Sequence, residues 1–235
     1  AYTFHSDGVP SGFIENHKTG ERTNWCSKES SILTNDERRA NSQRIEADKR
    51  QRQEEEKAKY EQTADQCQTQ WPNLPIAKNE HPYLKLKGVE AIGLRLLNDL
   101  LVVPLRNIGG DLKSWQTIDD GGEKRFATGG QKKGHYHTIG TPQGLIYVCE
   151  GYATGATINA LTGQAVAVAF DAGNLNPVAK LLSKHQPNIK VIIAADNDHT
   201  KEPNVGLDKA TQAAKELGLE FVIPTFETGK VGSDF

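Results

Sequence analysis

The carboxyl-terminal half of the sequence alternates short apolar runs with helix-forming segments, and this alternation limits the fold more than any other feature. The runs are rich in β-branched and small apolar residues: LIYVCE, AVAVAF, KVIIAAD and LEFVIP. The segments between them are ATGATINAL, NPVAKLLSKH and GLDKATQAAKEL. Strands that are apolar throughout and alternate with helices predict an α/β fold, in which helices cover both faces of a parallel, Rossmann-like sheet.

Acidic residues end three of these predicted strands. Glu150 ends the first and Asp171 the second, and Asp196 and Asp198 end the third. Right-handed crossovers bring the carboxyl ends of parallel strands to one edge of the sheet, where ligands bind. Carboxylates that leave positions open for water and phosphate suit Mg²⁺. An Asp-x-Asp pair after a strand is also ordinary turn chemistry, but Glu150 before a glycine is harder to explain as a cap, so the two sites together favour a metal.

Composition and missing motifs exclude several classes of protein. The sequence has no G-x-G-x-x-G and no P-loop, so dinucleotide-binding and Walker-type ATPase signatures are absent. Its three cysteines show no C-x-x-C spacing, which excludes a zinc ribbon and fits a reducing compartment. No apolar run is long enough to span a membrane. We therefore expect a cytoplasmic protein without a membrane partner, while the net charge of −2 neither requires nor excludes nucleic acid.

Changes in pattern predict five regions along the chain. They are a small β element (1–33), a charged connecting helix (34–70), a linker (71–80), a basic β-rich subdomain (81–140) and the α/β domain (141–235). The helix begins at a capping box formed by Thr34 and Glu37, and its balanced charges predict a solvent-exposed surface. The chain has no methionine and ends at KVGSDF, so we expect a fragment of a longer protein whose last domain is truncated.

The acidic motifs and their order resemble the Toprim domain. This domain is shared by DnaG-type primases, type IA and type II topoisomerases, OLD-type nucleases and RecR, and residues 142–235 are similar to the Toprim domain of primases from plasmids, phages and other mobile elements. The resemblance implies that Glu150, Asp196 and Asp198 are catalytic and hold Mg²⁺, with Mn²⁺ as an alternative ion. Asp234 matches the first acid of a later acidic motif and is implied as a further ligand.

The preceding β-rich region resembles the amino-terminal subdomain of the primase catalytic core. The resemblance is carried by Pro-Leu-Arg ending at Arg106, by Lys-Arg-Phe ending at Phe126, and by the loop KKGH. It implies nucleic-acid and nucleotide binding by Arg106, Lys124, Arg125, Lys132, Lys133, His135 and His137. Basic residues beside aromatic rings suit a single-stranded template and incoming triphosphates. Solvated loop lysines and structural histidines are the alternatives, and zinc is disfavoured because HYH has no third ligand nearby.

Together these features predict the catalytic core of a DNA primase, a nucleotidyltransferase that makes short RNA primers on single-stranded DNA from ribonucleoside triphosphates. We expect it to serve replication of a plasmid, phage or other mobile element, with a replicative helicase, or a zinc-binding or helicase domain of the longer protein, as a candidate partner. A Toprim nuclease that hydrolyses DNA phosphodiesters and a non-catalytic nucleic-acid-binding scaffold remain alternatives. A topoisomerase is disfavoured because no domain here supplies a tyrosine nucleophile.

Overall fold

The computed structural model describes residues 2–6, 8–16, 21–29, 32–196 and 205–224. Its contacts divide the chain into two compact units, 1–58 and 59–235. The strands are β1 (Tyr2–His5), β2 (Ser11–Glu15), β3 (Arg22–Cys26), β4 (Arg95–Leu97), β5 (Leu100–Arg106), β6 (Leu112–Ile118), β7 (Lys124–Phe126), β8 (His137–Ile139), β9 (Leu145–Cys149), β10 (Ala165–Val168), β11 (Lys190–Ala194) and β12 (Glu220–Val222). The helices are α1 (Asn35–Gln70), α2 (Pro82–Lys87), α3 (Tyr152–Thr162), α4 (Ala172–His185) and α5 (Val205–Leu217).

The first unit contains a small antiparallel sheet and the first part of α1. The sheet has the order β1-β2-β3. Helix α1 begins at the predicted capping box, in which the Glu37 amide donates to Thr34 Oγ1 (3.2 Å) and the Thr34 amide donates to Glu37 Oε2 (2.9 Å). Its described residues are mostly exposed, as its balanced charges predict. The unit boundary lies within this helix, so the division into five regions stays a prediction.

A four-stranded antiparallel sheet opens the second unit, in the order β4-β5-β6-β7. Leu101, Val103 and Ile118 belong to a buried cluster on one face of this sheet, and Val102 packs with Trp115 in another cluster. The short helix α2 is absent from the sequence prediction, which has only strands in this region. It forms because Pro82 begins it, the His81 ring accepts a hydrogen bond from the Tyr83 amide (3.2 Å), and Gly88 ends it in the left-handed conformation.

The predicted parallel sheet is confirmed. Strands β9, β10, β11 and β12 are parallel within a five-stranded sheet of order β12-β11-β9-β10-β8. The fifth strand, β8, runs antiparallel to β10 and pairs Val166 with Ile139. The sequence prediction places β8 in the β-rich region, and the structure places it in this sheet instead. The sheet is therefore mixed, with an antiparallel edge strand, as in many α/β folds.

The strand order reverses at β9, and this reversal fixes the position of the candidate site. From β9 the chain crosses through α3 to β10 on one side, and α4 then carries it back past β9 to β11 on the other. Residues of α3 belong to one buried cluster, and α4 and α5 pack together in another. The carboxyl ends of β9 and β11 thus flank a topological switch point, where open α/β sheets bind ligands.

We predict that Gly155→Val lowers the free energy of unfolding by roughly 1–3 kcal/mol, because a Cβ at Gly155 would lie 2.9 Å from Val168 Cγ2 and 3.1 Å from Cys149 Sγ. Urea denaturation measures the change. Ala160→Val, at an exposed position of the same helix, is the control and costs only the small loss of helix propensity. Equal effects of the two substitutions would contradict the close packing of α3 on the sheet.

Candidate active site

Two of the predicted metal ligands meet at the switch point. Cys149 and Ala194 are paired in register at the ends of β9 and β11, so Glu150 and Asp196 leave neighbouring strands at the same edge. Both acids are partly exposed. The Thr154 hydroxyl, in the first turn of α3, donates to Asp196 Oδ1 (3.3 Å). The other two predicted ligands, Asp198 and Asp234, lie outside the described residues.

Burial and nearby charged side chains shift the pKa of the Cys149 thiol. Burial raises its pKa well above the usual value, the negative charges of Asp196 and Glu150 raise it further, and the ammonium of Lys124 lowers it. Lys124 Nζ also lies 3.7 Å from the position that a Cβ on Gly151 would occupy. Both carboxylates and one lysine from the antiparallel sheet are therefore close enough to act on the same sulfur atom.

Strand β7 presents two of its three residues to this edge. Its register pairs Phe126 with Gln116 and Lys124 with Ile118, both of which are buried, so Lys124 and Phe126 share one face. The Phe126 ring packs edge-to-face on Phe170, two residues after the end of β10, with centroids 6.1 Å apart. Because side chains alternate along a strand, β7 directs one basic residue, Lys124, to the acidic edge.

Lys132 reaches the same edge from the loop before β8. Its ammonium forms an ion pair with Asp171 and lies 5.1 Å from the centroid of the Phe126 ring. Asp171 follows β10 and caps α4, where Oδ1 accepts from the Asn174 amide (3.0 Å). Between β10 and this cap, Phe170 adopts a positive φ of 74°, which is rare for a large side chain and typical of a constrained position.

Asn174 holds the basic loop in place, a role that sequence reasoning missed. Its buried side-chain amide donates to the carbonyl oxygens of Lys132 (3.2 Å), His135 (3.0 Å) and Ala169 (2.8 Å). Its Oδ1 accepts from the Gly134 amide (2.7 Å). Asn174 thus fastens the KKGH loop to the end of β10. The signal in the sequence is the short DAGN segment after an apolar run, which alone reads as a helix cap.

The other predicted basic residues do not converge on the acids in their described contacts. Arg125 extends to the opposite face of β7 and pairs with Glu123 (2.9 Å). Arg106 lies over the Trp71 ring (5.5 Å) and donates to the Gly110 carbonyl (2.9 Å). Burial, then Arg95, lower its pKa. Lys133 is exposed on the loop.

Both histidines of the predicted binding set are buried, as the alternative of structural histidines expects. His135 donates from Nδ1 to the Lys133 carbonyl (3.0 Å), and burial lowers its pKa. His137 contacts the Ile92 carbonyl through Nε2 (2.9 Å) and packs beside the Tyr152 ring. Burial, and then the charge of Arg106, lower the pKa of His137 to about 4. The imidazole of His137 is therefore uncharged at neutral pH and packs as part of the buried interior.

The acidic edge suits a hard divalent cation. Glu150 and Asp196 offer carboxylate oxygens from two adjacent strand ends and remain partly exposed, which leaves room for water or phosphate. No group of three His, Cys, Asp or Glu residues converges within the part of the chain that the structure describes. That part does not include Asp198, the third predicted ligand.

The sequence matches a Toprim domain family and is similar to two DNA primases. Residues 145–235 match the Toprim domain family. Two Escherichia coli proteins named DNA primase TraC are 33% identical over 242 residues and 34% identical over 238 residues. These alignments include 97% and 96% of this chain, which spans only 23% and 16% of the respective relatives.

Solved primase structures are partly similar. The DnaG primase catalytic domain bound to ssDNA is 14% identical, with a TM-score of 0.46 over 75% of this chain and 73% of that one. The primase fragment of the bacteriophage T7 primase-helicase protein is 14% identical, with a TM-score of 0.45 over 63% of this chain and 66% of that one.

In the described residues of our structure, no helix is long and apolar enough to cross a membrane.

We predict that Asn174→Ala lowers the free energy of unfolding by about 3 kcal/mol, because it leaves the partly buried Gly134 amide and several carbonyl groups without their partner. Chemical denaturation measures this loss. Asn176→Ala is the matched control in the same helix, since it removes only an exposed bond to Glu216 and should cost less than about 1 kcal/mol. Similar losses in both variants would argue against the loop-fastening role.

The depressed pKa of His137 predicts a loss of stability in acid. Well above pH 6.5 the imidazole is neutral in both the folded and the unfolded chain. As the pH falls from 6.5 towards 4, only the unfolded chain takes up the proton, which costs up to about 3 kcal/mol. Unfolding of the parent and of His137→Gln should be compared across this range. The difference between their unfolding free energies should shrink as the pH falls, and a constant difference would contradict a neutral, buried His137.

Proposed function

We propose that this chain, whose residues 145–235 match the Toprim domain family, is the catalytic core of an enzyme that synthesises short RNA primers on single-stranded DNA. One structural observation supports this proposal independently of the similarity to named primases. Lys124 and Lys132, from outside the Toprim region, lie at the edge of the sheet that bears Glu150 and Asp196. A centre that joins nucleotides needs acidic groups for a metal and basic groups for phosphates, and this arrangement supplies both.

We propose that Glu150, Asp196 and Asp198 hold Mg²⁺ or Mn²⁺, with Asp234 as a further ligand. When bound, the ion would lower the pKa of the primer 3′ hydroxyl and offset charge on the reacting phosphate. The chain's own residues then have defined tasks. Thr154 orients Asp196 through its hydroxyl. The connection between β9 and α3 fixes the Glu150 backbone, whose carbonyl accepts from the Phe170 amide (2.8 Å).

The basic residues would bind the anionic reactants. In this proposal Lys124 and Lys132 neutralise the triphosphate of the incoming ribonucleotide, because they lie beside the acids. Lys132 already pairs with Asp171, so a triphosphate would compete with that carboxylate for its ammonium. Arg106, Arg125 and Lys133 would contact the template backbone, since none of their described contacts involves Glu150 or Asp196. The buried His135 would shape the loop rather than bind nucleotides directly.

The setting of this activity is also a proposal. We propose that the enzyme primes replication of a plasmid, phage or other mobile element, in the cytoplasm and as part of a longer protein. The chain spans less than a quarter of the length of the two TraC primases, so these relatives contain further domains. A helicase, or a zinc-binding domain of the same protein, would deliver the single-stranded template.

The proposal is tested by incubating single-stranded DNA, labelled ribonucleotides and Mg²⁺ with the parent and three variants. Asp196→Asn should abolish oligonucleotide synthesis. Lys124→Gln should reduce it roughly a hundredfold, because a charge beside the reacting phosphates is lost. Arg125→Gln, the adjacent residue on the other face of β7, is the matched control and should reduce synthesis by less than about tenfold.

Two outcomes would contradict the proposal. If the folded parent makes no oligonucleotide on any template, this chain does not synthesise primers. Cleavage of the DNA that needs Mg²⁺ and Asp196 but no ribonucleotide would identify a nuclease instead.

A further inference from the structure

The first unit contains a groove that the proposed catalytic centre does not use. The groove lies between the sheet β1-β2-β3 and the first part of α1, and it has a volume of about 470 Å³. The residues that carry its chemistry are Phe13, Arg22, Asn24, Trp25, Asp48 and Arg52. All of them belong to the compact unit 1–58, so the groove is a property of that unit alone.

Two guanidinium groups share one aromatic ring in this groove. Arg22 Cζ lies 4.0 Å and Arg52 Cζ 5.2 Å from the centroid of the Phe13 ring. Both guanidinium groups donate to neutral oxygens, from Arg22 Nε to Asn24 Oδ1 (3.3 Å) and from Arg52 Nε to the Asp48 carbonyl (3.3 Å). Like charges held this close favour an anion between or beside them.

The lining of the groove contains more basic than acidic side chains among the described residues. Among the described residues that line the groove, Asp48 is the one carboxylate. Its Oδ2 is already 2.7 Å from Nε2 of His5. Neither Arg22 nor Arg52 forms a salt bridge with another described residue. The groove therefore presents two guanidinium groups to an incoming anion, and guanidinium groups suit phosphate because they can donate two parallel hydrogen bonds.

Aromatic side chains lie on the outer face of the same sheet, and one of them, Trp25, also borders the groove. Phe4, Gly12 and Trp25 are paired in register across the three strands. Because Gly12 has no side chain, the Phe4 and Trp25 rings meet above it and stack with centroids 5.8 Å apart. Tyr2, Phe4 and Trp25 keep 81%, 61% and 50% of their surface exposed. Trp25 borders both the groove and this outer face.

We propose that the first unit binds single-stranded nucleic acid, with phosphates on Arg22 and Arg52 and bases stacked on Trp25, Phe4 and Tyr2. Proteins hold single strands without reading their sequence by combining basic side chains for the phosphates with exposed aromatic rings for the bases. Here the strand would pass over the edge strand β3, because Trp25 borders both the groove and the outer face. A free nucleotide would need one ring, whereas three exposed rings suit successive bases. This site is additional to the catalytic centre, because it shares no residue with the acids and lysines proposed for catalysis.

The charge contribution is tested with the whole chain by fluorescence anisotropy of a labelled single-stranded oligonucleotide over a range of salt concentrations. The double variant Arg22→Gln/Arg52→Gln should bind at least about tenfold more weakly at low salt. Its slope of log K against log salt should be shallower by about 1.4, as expected for two lost phosphate contacts on a single strand.

The matched control is Arg39→Gln/Arg50→Gln, which removes the same charge from exposed positions of α1. At 3.6 residues per turn these positions fall on the side of the helix opposite Arg52. This control should bind nearly as the parent does. Equal weakening by both double variants would overturn the proposal, because it would mean that net charge alone matters.

The stacking contribution is tested with Trp25. Trp25→Ala should weaken binding roughly tenfold, and Trp25→Phe, which keeps a ring, should restore most of it. Photo-crosslinking of an oligonucleotide that carries 5-iodouracil should give adducts in the peptides of residues 1–33. Circular dichroism and thermal unfolding of each variant confirm that the fold is retained.

Two further arms separate this site from its alternatives. Asp196→Asn should bind and crosslink through residues 1–33 as the parent does, so failure of the catalytic proposal would not affect this result. Excess ribonucleoside triphosphate should not displace the crosslink from residues 1–33. Displacement by free nucleotide, or the absence of any adduct in this region, would overturn the proposal.

Discussion

The parallel pairing of β11, β9 and β10 is the constraint on which the rest of the candidate site depends. It aligns Ala194, Cys149 and Val168 in one row, so the residues that follow these strands are held together at one edge. Without bound cations, the carboxylates of Glu150 and Asp196 repel each other. Burial raises the pKa of the Cys149 thiol, and the charges of both carboxylates raise it further. The buried apolar strands pack on both faces and hold these groups in place despite that repulsion.

The segment from β7 to β8 supplies positive charges at the acidic edge. Lys124 arrives on β7, and Lys132 arrives on a loop that the buried Asn174 fastens to the end of β10. Phe126 and Phe170 pack against each other where the two sheets meet. The two lysines are therefore positioned by separate anchors. In a centre that binds triphosphate, such anchoring reduces the entropy lost when the reactants are aligned.

Local sequence patterns predict much of this arrangement because they report burial and chain direction. Continuous apolar runs identify β9, β10 and β11, and the acids that end them identify the edge. The same patterns do not reveal non-local pairing. They therefore miss the antiparallel addition of β8 and the burial of His137, which follows from it. The role of Asn174 depends on a loop about 40 residues away, so no local pattern shows it. Helix α2 has local start and stop signals in Pro82 and Gly88, but the surrounding strand pattern obscures so short a helix.

The central claim is that Glu150 and Asp196 hold one divalent ion at the edge that Lys124 faces. Electron paramagnetic resonance of Mn²⁺ titrated into the parent and into Glu150→Gln, Asp196→Asn and Lys124→Gln tests it most directly. The structure predicts that each acid variant weakens Mn²⁺ binding roughly tenfold or more, and that Lys124→Gln strengthens it or leaves it unchanged, because a nearby positive charge is removed. Mn²⁺ binding that is the same in the parent and both acid variants would contradict the account.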